Sequence, residues 1–87
     1  MYDPESLREM MLEQERHEGR GADWNQYYNE IILDPSGLTA HVAAIAVCDN
    51  ADKNYRGWAS NLRDKYGVPI VGMRPYDVEY PLHQISW

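Results

Sequence analysis

The residues of this chain that could do chemistry are few and scattered. Its histidines are His17, His41 and His83, and its one cysteine is Cys48. A metal centre gathers such ligands at short, repeated spacings, and none of these matches one. His41 and Cys48 are seven residues apart, so a helix would turn them to one side, as a Cys–His nucleophile requires. No third group in the sequence orients that pair. Glu13, Glu15 and Glu18 read as a solvated acidic face. Gly19-Arg20-Gly21 is too short for a phosphate-cradling loop and follows no strand. The expectation is a protein with no catalytic residues, no metal and no cofactor.

Charge is the stronger signal. The 87 residues hold 14 acids against eight Lys and Arg, a net charge of −6. Residues 1–34 carry nine acids and three arginines, so all six units of net charge belong there. Residues 35–87 carry five of each sign, and every base lies between Lys53 and Arg74. An acidic N-terminal part and a locally basic later segment imply two differently charged surfaces.

Hydrophobic residues make up 44%, enough for a packed core. There are seven Tyr, three Trp and no Phe, which suits a thin core whose rings reach the surface. Such a small domain buries little, so a dimer or a partner protein is expected to supplement it. One cysteine excludes a disulfide-stapled fold. The longest apolar run, Val42 to Cys48, is seven residues, far short of the roughly 20 of a membrane span. The acidic N-terminus has no signal-peptide pattern, and a cytoplasmic setting is the expectation.

The elements follow from periodicity. Asp3 to His17 reads as a helix, capped by Asp3 with Pro4 at its first position, or by a capping box at Ser6 one turn later. Its apolar stripe, Leu7, Met10, Met11 and Leu12, is narrow. It is therefore read as an appended acidic arm over residues 1–22, with Leu7, Met10 and Met11 as a partner-binding surface. Asp23 to Leu33 places Trp24, Tyr27, Tyr28, Ile31 and Ile32 at helical spacing. A strand would put Gln26 and Glu30 on the face of Tyr28, so a helix capped by Asp23 is predicted, broken by Asp34-Pro35-Ser36-Gly37. From Leu38 to Cys48, Thr39 reads as a cap, and Ala40, Ala43, Ala44 and Ala46 favour a third helix. Asp52 to Tyr66 is the clearest helix, with Tyr55, Trp58, Ala59, Leu62 and Tyr66 on one side and Gly67 as its stop. Gly57 within it suggests a close approach. The remainder reads as a hairpin: a strand from Val68 to Met73, a turn at Arg74 to Asp77, and a strand from Val78 to Trp87. Trp58, Trp24 and Tyr28 are assigned to the core, while Trp87 is either tucked under the hairpin or held at an interface.

Three helices followed by a hairpin, with the run Arg56-Gly57-Trp58-Ala59-Ser60-Asn61-Leu62-Arg63-Asp64-Lys65-Tyr66-Gly67-Val68-Pro69-Ile70, resemble the winged helix-turn-helix family of small prokaryotic and phage proteins. The expected fold class is thus α+β and mostly helical, a winged helix over residues 23–87 behind the acidic arm. The resemblance implies double-stranded DNA as partner, for a regulator, an architectural factor or a phage protein. Asn54, Arg56, Ser60 and Asn61 would meet base edges in the major groove, and Lys53, Arg63 and Lys65 would meet phosphates. Arg74 at the wing tip would enter the minor groove. The alternative is a non-enzymatic interaction protein, an inhibitor or nucleic-acid mimic, whose acidic helix binds a basic surface.

Overall fold

A computed structural model describes residues 2–19, 24–36, 41–77 and 79–87. The expected caps Asp23 and Thr39, with Arg20, Gly21, Gly37, Leu38, Ala40 and Val78, lie outside the described residues.

The first helix, α1 (Pro4–His17), forms where the capping signal stood. The Asp3 side chain accepts from the Ser6 backbone N–H at 2.7 Å, with proline in the first turn. The second helix, α2 (Lys53–Tyr66), is capped by Asp52, whose carboxylate accepts from Asn54 and Tyr55 N–H groups at 3.0 and 3.2 Å. It ends at Gly67, which takes the left-handed conformation (φ 65°) that glycine adopts without steric cost.

The rest of the fold corrects the winged-helix expectation. The described residues form two helices and a four-stranded mixed sheet in the order β1 (Asn29–Asp34), β2 (His41–Cys48), β3 (Ile70–Met73) and β4 (His83–Ile85). β1 and β2 are antiparallel, β2 and β3 are parallel with α2 as the crossover, and β3 and β4 are antiparallel. The chain is an α/β/α sandwich, since the two cores on the sheet each take one helix. One core joins Leu7 and Met11 of α1 to Ile32, Ala44, Ala46, Val71 and Met73. The other joins Ala59, Trp58 and Leu62 of α2 to Ile45, Val47 and Ile70.

The two segments expected as the second and third helices hold strands instead, β1 after a turn within residues 24–28 and β2, for identifiable reasons. A helix is predicted over 23–33 because a strand would set Glu30 beside Tyr28, yet Asn29–Asp34 is a strand. In the structure that neighbourhood is a bond: the Tyr28 hydroxyl lies 2.5 Å from Glu30 Oε2. Tyr27, counted as apolar on the helical stripe, is 59% exposed. In β2, Ala43 through Cys48 are all buried because the strand is covered on both faces. Central strands of that kind read as continuous apolar runs without alternation. The alanines of β2 fit the α1 side, where bulky Trp24, Tyr28 and Met11 need room, while Ile45 and Val47 fill the α2 side. Packing outweighs a helix propensity worth only tenths of a kcal/mol per residue.

α1 is likewise no loose arm. Leu7, Met11 and Glu15 are buried, so Leu7 and Met11 belong to the core and do not face a partner, and Met10 packs against that core. The Gln14 side-chain amide donates to the Ile31 carbonyl at 2.9 Å, and its oxygen accepts from Leu33 N–H at 3.1 Å. Two main-chain groups of edge strand β1 are thereby capped, which blunts a surface open to strand addition. The C-terminal hairpin is present as β3 and β4, though β3 is interior and the connection spans residues 74–82. No described helix is long and apolar enough to cross a membrane.

Gly57 does not mark a close approach, because a Cβ there would meet no atom within 4 Å. Gly57→Ala is therefore expected to raise stability by about 0.5–1 kcal/mol through helix propensity alone, read as a higher urea midpoint at unchanged slope.

Candidate functional site

The bases expected to read DNA lie on α2, except Arg74 just after β3, and several are engaged within the chain. The Arg56 guanidinium stands over the Trp87 ring, 5.1 Å from its centroid, and its Nε donates to the Ala51 carbonyl at 3.1 Å. Arg63 donates to the main-chain oxygen of Trp87 and, through Nε, to Asp64 at 3.2 Å. Trp87 packs on the α2-side core. These two arginines therefore pin the C-terminal segment to α2. Lys65 lies over the Tyr66 ring and Arg74 over the Tyr80 ring, at 5.2 and 4.7 Å. Lys53, Asn54, Asn61 and Lys65 are exposed and Ser60 is partly buried. α2 and α1 lie on opposite sheet faces, so the basic and acidic surfaces point away from each other.

Two polar constellations escaped the sequence reading. In the first, Glu15 is buried rather than part of a solvated face. Its Oε1 accepts from Trp24 Nε1 at 2.9 Å and lies 2.5 Å from the Tyr28 hydroxyl, which is also 2.5 Å from Glu30. Burial first, then the two carboxylate bonds, raise the Tyr28 phenol above its ordinary range. This network ties α1 to the start of β1, with Glu15 bonded to side chains nine and 13 residues further along the chain. Tyr28→Phe removes the donor shared by two buried carboxylates. An expected loss of about 2–3 kcal/mol is checked by urea unfolding.

In the second, Asp34 and His41 are cross-strand partners at the end of β1 and β2. A register shift between Ile32 and Leu33, which leaves Ala43 without a partner in β1, sets this pairing. The Tyr2 hydroxyl donates to Asp34 Oδ2 and lies 2.8 Å from His41 Nε2, which is 3.4 Å from Asp34 Oδ2. Asp34 Oδ1 accepts from Ser36 N–H at 2.9 Å. The Tyr2 bond, followed by that of Ser36, holds the Asp34 carboxyl down at about 2. His41 thus has the orienting carboxylate that the sequence did not reveal. It does not meet Cys48, which stands at the other end of β2, roughly 23 Å away at about 3.3 Å per residue. Cys48 is buried, its Sγ–H directed at Asn50 Oδ1 (2.9 Å), and burial raises its thiol above the usual range. No group of three or more His, Cys, Asp or Glu able to hold a metal occurs among the described residues.

Because Asp34 titrates lower when folded than unfolded, its contribution to stability is present above about pH 4 and is lost as pH falls toward 2. The tether of Tyr2 to the sheet is expected to follow that titration, read from the tyrosine ring resonances, and Asp34→Asn should abolish the dependence.

No family model, curated relative or solved structure matches this chain.

Proposed function

We propose that the protein is a non-enzymatic interaction protein whose outward α1 surface engages a basic partner surface. The observation that carries this reading is the row Glu5, Glu9 and Glu13. These residues are four apart and exposed, so their carboxylates line one stripe of the helix at about 6 Å intervals. Glu5 gains from the helix dipole in the first turn. Glu9 gains no such benefit, and like charges at this spacing cost helix stability by about 0.2–0.5 kcal/mol per pair. Arg8, which could have neutralised the row, turns inward to the Tyr80 carbonyl. Glu13 is paired with Arg16 at 2.7 Å and His17 at 3.0 Å, and Glu5 and Glu9 have no ion pair among the described residues. A rigidly docked helix that keeps two carboxylates of its acidic stripe, Glu5 and Glu9, without an ion pair among the described residues is suited to a rigid basic surface.

Duplex DNA bound through α2 is the second reading. It is favoured by the separation of the two charged faces and by the exposure of Lys53, Asn54, Asn61 and Lys65. It is weakened by the engagement of Arg56 and Arg63 with Trp87.

Fluorescence-anisotropy titrations with a lysine-rich peptide and with random duplex distinguish the two. The peptide is expected to bind at about 50 mM salt and to weaken steeply by about 200 mM. The variant E5Q/E9Q/E13Q is expected to lose about tenfold in peptide affinity at the lower salt, since each charge contributes modestly. Unchanged affinity in that variant overturns the reading. Duplex binding that disappears in K53A/K65A replaces it with the second.

A further inference from the structure

At the end of the sheet where β2 and β3 begin, a cleft of about 260 Å³ opens beside Tyr2 and His41. Its walls are apolar: Leu7, Val42, Val68 and Pro69. A smaller cleft of about 150 Å³ adjoins it and shares Tyr2, Leu7 and Pro69. Tyr2, Leu7 and Pro69 thus face both spaces. An apolar hollow with a few convergent polar groups is the usual form of a small-molecule site.

Negative charge is concentrated at one end of the cleft. Asp34 does not itself line the cleft, but it accepts from Tyr2 and contacts His41, both of which do, and the Tyr2 and Ser36 bonds keep its buried carboxyl ionised. Gly67, at the C-terminal end of α2, lines the cleft. A helix C-terminus carries partial negative charge on its last carbonyls. The Tyr2 ring offers a negative π face. From α2 and β3 the cleft receives Gly67, Val68 and Pro69, none of them titratable, and from α1 Leu7. Among its lining residues only His41 can carry positive charge; Arg63 and Lys65, in the last turn of α2 before Gly67, are engaged with Asp64 and Trp87 and with the Tyr66 ring.

We propose that this cleft is a binding site for a small organic ammonium ion, its apolar body between Leu7, Val42, Val68 and Pro69 and its charged head at Asp34 and Tyr2. The head adds a donor to Asp34 Oδ2 in place of the long 3.4 Å contact from His41. An anionic head would meet a carboxylate and a helix C-terminus instead. The site is separate from the outward stripe of α1, so it stands whether or not that stripe binds a basic partner. Occupancy would also hold Tyr2, and with it the start of α1, against the sheet.

The test is a titration of the full chain, observed by amide and imidazole NMR shifts, with three probes of matched shape: phenethylamine, 3-phenylpropanoate and 3-phenylpropanol. Saturable shifts at His41, Val42 and Val68 with the amine alone, or with the amine at least about tenfold tighter than either other probe, are expected. Val68→Trp fills the cleft from a partly buried position and should abolish the shifts while the amide spectrum stays dispersed. Asp34→Asn should weaken the amine selectively, and should it unfold the chain, Val68→Trp and the comparison of the three probes still decide. Equal or tighter binding of the carboxylate, or no saturable shift with the amine, overturns the proposal.

Discussion

The structure depends on one constraint, the burial of β2 on both faces. From Ala43 to Cys48 its side chains leave water entirely, and its main chain is paired on one side with β1 and on the other with β3. A strand in that position cannot exist in a two-layer domain, because each face exposes apolar surface that must be covered. α1 covers one and α2 the other. Each buried Ile or Val contributes roughly 1.5–3 kcal/mol, which is how so short a chain holds two cores. The connectivity follows as well, since the parallel pairing of β2 with β3 needs a crossover, and α2 supplies it.

Placing the helices on opposite sheet faces also sorts the charge. The acidic stripe of α1 and the basic surface of α2 point away from each other, with the sheet between them. The sequence-level asymmetry of −6 against zero becomes a spatial one. What α2 does with its arginines is more inward than its composition suggests. Arg56 and Arg63 close around Trp87, and a cation held over an aromatic ring or on a carbonyl is less available to a phosphate. The same economy appears at Arg8, which turns from the acidic stripe to the Tyr80 carbonyl.

The two polar constellations show why side-chain chemistry was hard to read in advance. Glu15 sits among Glu13 and Glu18 in a run that looks uniformly solvated. Only the packing of α1 turns it inward to Trp24 and Tyr28. Nothing local distinguishes it except that it continues the Leu7, Met11 stripe at a four-residue step. Asp34 reads as part of a turn signal and His41 as a helix residue. Their meeting needs the β1–β2 register and the bulge at Ala43, both of which are set by which faces are buried.

Local signals alone determined the two helices. Asp3-Pro4 and Gly67 act through backbone groups a few residues away, and that chemistry is legible in any context, while the cap at Asp52 was seen only in the structure. The C-terminal hairpin and the segregation of charge along the chain were legible too. The fate of residues 24–48 was decided only in three dimensions. Trp24 to Ile32 satisfies a helical period, and the alanine-rich run to Cys48 has good helix propensity, so local preference pointed to helices. Burying β2 between two helices outweighs that preference, because a propensity worth tenths of a kcal/mol per residue competes with whole side chains leaving water. The winged-helix resemblance failed at that point, and the Tyr2, Asp34 and His41 cluster came into being there.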